Sequence, residues 1–242
     1  MKPVKPLGRK AYGSIPHLPG SRLGSGDHAC HAGQDVICQM RARDKNDRII
    51  VTEKLDGSNV AIAKINGEII ALGRAGYPAD TSPFEQHHHF AWWVDASKGR
   101  WSAMLTEGEA AHGEWLAMAH GTIYDLPHEP FVVFDITRNG VRATFDELQS
   151  RCLFYSVTTP HVISDGPPTS IENALDALGD HGFHGAQEPV EGAVWRVERH
   201  GKFDFLAKYV RHDKQDGKHI PEITGAPPYW HWRAPIFWEP SS

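Results

Sequence analysis

The chain has little of what would mark a membrane or secreted protein. No apolar run approaches the roughly 20 residues a membrane-spanning helix needs. The start, MKPVKPLGRKAYG, carries positive charge without the apolar stretch of a signal peptide. Cysteine is scarce: Cys30, Cys38 and Cys152 form an odd, widely spaced set that is no disulfide framework and fits a reducing compartment, so a cytoplasmic location and no membrane partner are expected. Positive charge is not in excess either. Lys plus Arg number 25 against 30 Asp plus Glu, a net charge of −5, so nothing draws a polyanion to the molecule as a whole and any such site must be local. Internal repeats and obvious interdomain linkers are also missing.

What is present is a 242-residue chain, 40% hydrophobic and 10% aromatic, enough for one sizeable packed core. Two stretches could supply a local basic site. One is the tip Lys2, Lys5, Arg9, Lys10; the other runs from Arg196 to Lys218, where seven cations face the four acids Glu198, Asp204, Asp213 and Asp216. The plainer alternative for the second is a solvated face of mixed charge.

The first 35 residues are rich in Gly, Pro and Ser and read as an irregular arm. RIIVTEKL, NVAIAKING and EIIALGRAG then read as a three-strand antiparallel start, with a hairpin turn at Asn66-Gly67. A helix is expected within Pro83 to Leu105, strands at AAHGEWLAM and PFVVFDIT, and helices at ATFDELQSRC and TSIENALDALGDHG. In the last of these Ser170 caps and Gly179 stops the helix. EGAVWRVERHGKFDFLAKYVR reads as two strands turning at His200-Gly201. Strands dominate without a regular βαβα alternation, so the fold class is α+β rather than a doubly wound sheet.

The sharpest local feature is Glu53-Lys54-Leu55-Asp56-Gly57-Ser58-Asn59, at the end of an apolar strand and entering a glycine turn. There the Lys54 amine can reach a cleft from rigid backbone, and Gly57 lets a phosphate or sugar approach closely. Taken alone it reads more readily as an exposed lysine at a hairpin corner. Behind it come, in order, Gly73-Arg74-Ala75-Gly76, Gly113-Glu114-Trp115-Leu116, Phe131-Val132-Val133-Phe134-Asp135-Ile136, Glu191-Gly192-Ala193-Val194-Trp195-Arg196 and Ala207-Lys208-Tyr209.

This ordered set, over about residues 48 to 211, resembles the covalent nucleotidyltransferase superfamily of RNA ligases, DNA ligases and messenger-RNA capping enzymes. It is most similar to the ATP-dependent RNA ligases that seal nicks in duplex RNA; Asn59, where DNA ligases usually carry arginine, and the short FDI strand point that way. The resemblance implies antiparallel sheets with flanking helices around an ATP cleft. Lys54 would be the nucleophile, forming a lysyl-AMP; the AMP would pass to an RNA 5′-phosphate, which a 3′-hydroxyl then attacks. Such an amine must be unprotonated, and free lysine titrates near roughly 10.4. Lys208, Arg74 and a bound Mg²⁺ are the cations expected to depress it.

By the same resemblance Arg74 contacts phosphate, Glu114 the ribose hydroxyls and Phe134 stacks on adenine, while Glu191 helps hold Mg²⁺ or Mn²⁺. Glu53 and Asn59 line the nucleotide pocket, and Lys208 completes the catalytic set. The partners implied are ATP and RNA, as a nicked duplex or a broken strand; whether an end-healing protein joins them is left open. Without the family, Phe134 reads as a core aromatic and Glu191 as a surface acid.

Two departures stand out. These RNA ligases usually carry paired lysines in the last motif, whereas here the tripeptide is Leu206-Ala207-Lys208; Lys202, Arg196 or Arg211 would have to substitute, or adenylylation is slow. After Lys208 only 34 residues remain, so the expectation is a single adenylyltransferase domain over 1–242, with an arm (1–47), a motif-bearing core (48–211) and an aromatic, Pro-rich tail (212–242). DNA ligation or capping-type transfer, and a nucleotide- or RNA-binding module without turnover, are the alternatives. Among lesser features, His28, Cys30, His31 and Cys38 fit no standard zinc spacing. His87-His88-His89 reads as a solvated loop, Arg22 as a possible phosphate contact, and the tail from Pro227 through Trp232 to Phe237 and Trp238 as packing back on the domain.

Overall fold

The computed structural model describes residues 4–235; Lys2, Phe237 and Trp238 lie outside the described residues. In chain order the elements are α1 (Ala32–Gln39), β1 (Asp47–Lys54), β2 (Ser58–Ile65), β3 (Glu68–Gly73), α2 (Glu85–Ala96), α3 (Lys98–Met104), β4 (Glu109–Trp115) and β5 (Phe131–Arg138). They continue with β6 (Val141–Arg142), α4 (Phe145–Phe154), β7 (Val162–Gly166), α5 (Ile171–Leu178), β8 (Gly192–Arg199), β9 (Lys202–Val210) and α6 (Pro221–Thr224). They build an α+β fold of two antiparallel sheets, β7-β1-β8-β9 and β3-β2-β4-β5-β6, with flanking helices.

The expected three-strand start is split between the sheets. β2 and β3 pair through the Asn66-Gly67 turn, both residues at positive φ (53° and 78°), but β1 joins β7 and β8 instead. The chain changes sheet at Leu55–Gly57. A Cβ on Gly57 would stand 2.5 Å from the Trp115 carbonyl oxygen, so only glycine lets the turn lie this close to β4.

Side-chain alternation along β1 then separates two cores. Ile50 packs with Val60, Ile62, Phe90, Trp93, Trp101, Trp115 and Phe131; Ile49 and Val51, on the other face, pack with Ala193, Trp195, Val197 and Ala174. The same alternation puts Lys54 on the Ile50 side and Glu53 on the Val51 side. The expected helix within Pro83–Leu105 is two helices, broken at Ser97, whose hydroxyl bonds the Trp93 carbonyl at 2.7 Å.

Among the described residues, those before α1 are irregular, as expected, and they are docked on the domain. Leu7 and Ala11 cover Ala61, Ala63, Leu72 and Ala110 on one face of the larger sheet. Further on the backbone fastens along β9: Leu18 N donates to Lys208 O (2.8 Å), Lys208 N to Pro16 O (2.9 Å) and Arg22 N to Val210 O (3.0 Å). At the other end, Ala119 N donates to Tyr229 O and His231 N to Ala117 O, and Trp232 packs on Trp92 and Trp115, so the described part of the aromatic tail lies against the domain.

Candidate active site

Where the sheets converge, a cavity of about 680 Å³ opens, lined among others by Lys54, Asn59, Arg74, Glu114, Phe134, Glu191 and Lys208. Register explains the convergence. On the smaller sheet Thr52 faces Val194, which faces Lys208 on β9, and Lys54 faces Gly192, so all present their cavity side together. On the larger sheet Asn59 pairs with Glu114.

Phe134 reaches the cavity by an irregularity. His112 pairs with Asp135 and Gly113 with Val133, leaving Phe134 as the extra residue of a β-bulge, a device that re-aims a side chain. Its ring is half-buried, edge-on to Tyr12 with centroids 5.1 Å apart. Behind it Asp135 is buried against Arg142 and Arg196, and Tyr12 donates to it at 3.2 Å.

The electrostatics are dominated by carboxylates. Lys54 Nζ lies 2.6 Å from Glu191 Oε2. Burial pulls the Lys54 amine down, but Glu191 and then Glu114 outweigh it and hold it well above the usual lysine range. Lys54 and Lys208 repel one another as expected, but in this state of the site the nearer carboxylates outweigh that repulsion. Burial pushes Glu191 up and Glu114 up to about 7, each partly offset by Lys54. Burial, then the Lys54 charge, pulls Lys208 down.

Glu114 Oε1 accepts from Gly57 N at 3.1 Å, fixing the turn after Lys54. Asn59 Oδ1 is buried and meets no hydrogen-bond donor among the described residues. Arg74 is exposed at the rim, its guanidinium 3.4 Å from the Gly13 carbonyl oxygen. Glu53 borders the cavity, but its carboxylate lies on the opposite face of β1 and accepts from Phe183 N at 3.0 Å. It is committed to the 181–184 loop rather than to the Lys54 face, because adjacent residues on a strand point opposite ways.

Of the substitutes considered for the absent lysine at Leu206, Arg196 lines the cavity but is committed to Asp135, Glu198 and the Ala143 carbonyl. Arg211 pairs with Asp180 and Asp213, and Lys202 sits at the far end of β9. More broadly, the Arg196–Lys218 segment makes no basic face. Arg199 pairs with Asp44 and Asp47, Lys208 with Asp27, Lys214 with Asp56 and Lys218 with Glu188. Arg22, too, pairs with Asp216 rather than standing ready for a phosphate.

Several neighbours escaped the sequence. Asp27, on the arm, reaches Lys208 at 3.5 Å while bonding His17 (3.2 Å) and Gly24 N (2.9 Å). Lys214 is buried, its ammonium 2.9 Å from Asp56 and 2.8 Å from the Gly121 carbonyl oxygen, with a further bond to Thr122. His87 belongs to α2, not to a solvated loop: it is held between the hydroxyls of Ser58 (2.8 Å) and Ser82 (2.7 Å) in the cavity wall. Burial lowers it to about 4, so it is neutral. Only the Ser58 hydroxyl, inside the lysine motif, hinted at a partner.

Two antiparallel sheets with flanking helices around one cavity have the nucleotidyltransferase class of fold. Solved structures agree. The Naegleria gruberi RNA ligase with PPi is 20% identical over 81% of this chain and 58% of that one, with a TM-score of 0.54. Two lysine variants of the same ligase, one with ATP and Mn (19% identical, 83% of this chain, 60% of that chain) and one with AMP and Mn (18%, 84%, 60%), both give 0.52. The chain spans about three fifths of the length of these structures. No curated protein sequence matches. The profile of the RNA ligase family matches residues 47–210, and the chain belongs to that family.

Proposed function

We propose that the chain is an ATP-dependent RNA ligase working through a covalent Lys54-AMP. The observation that carries this is the Lys54 amine 2.6 Å from Glu191 in a cavity that also takes in Arg74, Glu114, Phe134 and Lys208. Nζ attacks the α-phosphorus of ATP, the bond to the β-phosphate oxygen breaks, and pyrophosphate leaves. Glu191 Oε2 stands in line to take the proton from Nζ. Phe134 offers an aromatic face to the base, and Glu114 and Asn59 offer polar atoms to the sugar. Arg74 presents a planar fork to phosphate oxygens, and Lys208 a second cation. The adenylate then passes to an RNA 5′-phosphate, and a 3′-hydroxyl displaces AMP to close the strand. Positioning and charge neutralisation carry most of such displacements.

Among the described residues no group of three or more His, Cys, Asp or Glu side chains is placed to hold a metal ion. Glu191 brings a carboxylate oxygen up to the Lys54 amine, and oxygen donors are what Mg²⁺ and Mn²⁺ take, with water and substrate phosphate completing the shell. Glu191 would hold the ion directly or through water, and the ion when bound would neutralise phosphate charge.

Incubation with α-labelled ATP and Mg²⁺ or Mn²⁺ should leave label on the protein on a denaturing gel, and Lys54→Ala should abolish it. Labelling by GTP instead would favour capping-type transfer, and sealing of nicked DNA but not RNA a DNA ligase. Leu206, an apolar residue in the cavity wall where relatives carry lysine, favours a second reading, a binding module without turnover. No label on the unaltered protein would establish that reading.

A further inference from the structure

The molecule is acidic overall, yet its first 26 residues hold no Asp or Glu, and neither do residues 69–77 or 136–142. The fold brings these three acid-free stretches together. Ala11 N and Tyr12 N both donate to the Arg74 carbonyl oxygen (3.1 and 3.4 Å). Gly76, at φ +88°, lies so close to the arm that a Cβ there would stand 2.2 Å from the Arg9 carbonyl oxygen. A Cβ on Gly140, in the β5–β6 turn, would lie 3.2 Å from the Arg9 guanidinium. Lys5 Nζ sits 4.9 Å from the centroid of the half-exposed Tyr77 ring.

Lys5, Arg9, Lys10 and Arg74 thus gather along one rim. Among the described residues none of them has a carboxylate within ion-pair distance, whereas the cations of the 196–218 segment other than Lys202 are nearly all paired. The rim leads into the cavity, since Tyr12, Gly13, Arg74 and Tyr77 line both.

We infer that Lys5, Arg9 and Lys10 of the docked arm, with the Arg74–Tyr77 turn, form the track on which an RNA strand lies as its end enters the cavity. This rests on the ligase reading and adds the place of the second substrate. Unpaired cations beside an exposed aromatic ring match a phosphodiester backbone with bases free to stack. Because glycine-dependent contacts fix the arm, its charges are held in place and do not have to be ordered when RNA binds.

The test uses the full chain carrying Lys5→Ala, Arg9→Ala and Lys10→Ala together, and a control carrying Arg41→Ala, Lys45→Ala and Lys202→Ala, exposed cations that are not part of this rim. Binding of a fluorescent 5′-phosphorylated RNA, single-stranded and in a nicked duplex, is read by anisotropy from 0.05 to 0.4 M salt. Each lost phosphate contact lowers the salt slope by about 0.7 for a single strand. Three lower it by about 2 and weaken binding about 100-fold at 0.1 M. The control should stay within about threefold of the unaltered protein. Labelling by ATP should be unchanged in the arm variant, because none of its three residues lines the cavity. An arm variant with unaltered affinity and slope, a control that loses more, or capture by anionic vesicles in place of RNA each overturns the track. Labelling without any RNA binding overturns the track and leaves the first chemical step standing. RNA binding that depends on the arm but comes without labelling overturns the chemistry and leaves the track.

Discussion

Gly57→Ala is expected to damage fold and chemistry together, and by a calculable amount. The added Cβ would stand 2.5 Å from the Trp115 carbonyl oxygen, 2.9 Å from Leu116 Cδ2 and 3.2 Å from the Trp115 carbonyl carbon. Two of these atoms are backbone at the end of β4, which is paired on both sides and has little room to move. Overpacking of this kind costs about 1–3 kcal/mol. Displacing the turn also breaks the Gly57 N bond to Glu114, which adds about 1–2 kcal/mol. The sum, about 2–5 kcal/mol, corresponds to a fall in Tm of about 5–15 °C for a chain of this length. Because Lys54 is three residues away on the same strand end, a shift of about 1 Å carries over to the amine, where it costs about 100-fold in rate. Thermal unfolding followed by circular dichroism and single-turnover labelling with ATP read the two effects separately. A variant with native Tm and native labelling rate would refute the turn as the device that aims the lysine.

Burial raises Glu53 from 4.5 to about 7. The folded chain therefore binds its proton more tightly than the unfolded chain, so the stability is fully present below pH 4.5 and is lost as pH rises through about 7, amounting to about 3 kcal/mol. Glu53→Gln keeps the Phe183 bond and should remove that loss, giving a more stable protein at pH 8 but not at pH 4.5. Equal pH dependence in urea titrations of both proteins would contradict it. Lys214→Met leaves Asp56 without its ammonium and should cost about 3 kcal/mol, part of which returns in the Asp56→Asn, Lys214→Met double variant. A coupling energy below about 0.5 kcal/mol would show that the pair is not a unit.

Local signals were legible wherever the physics is local. Asn-Gly at 66–67 and His-Gly at 200–201 sit at positive φ in tight hairpins, and Ser170 accepts from Asn173 N at the start of α5 as a cap should. The lysine motif and its ordered partners converge on one cavity. What could not be read is non-local. No signal in RIIVTEKL says that β1 pairs with β7 and β8 rather than with β2, because each of those strands would accept several neighbours. The side on which Glu53 falls follows from the strand's register in the tertiary fold. The basic content of the 196–218 segment misled for the same reason. Composition counts cations but not the carboxylates, such as Asp27, Asp44 and Asp56, that distant parts of the chain bring to them.

The bulge at Phe134 makes chain length itself part of the cavity's shape. Val133 faces Gly113 and Asp135 faces His112 with Phe134 surplus between them, so losing one residue here takes away either the ring in the pocket or the carboxylate that meets Arg142 and Arg196. Insertions at the 66–67 or 200–201 loop tips carry no such penalty. Descendants of this sequence are therefore free to vary at their corners and bound to keep count in β5.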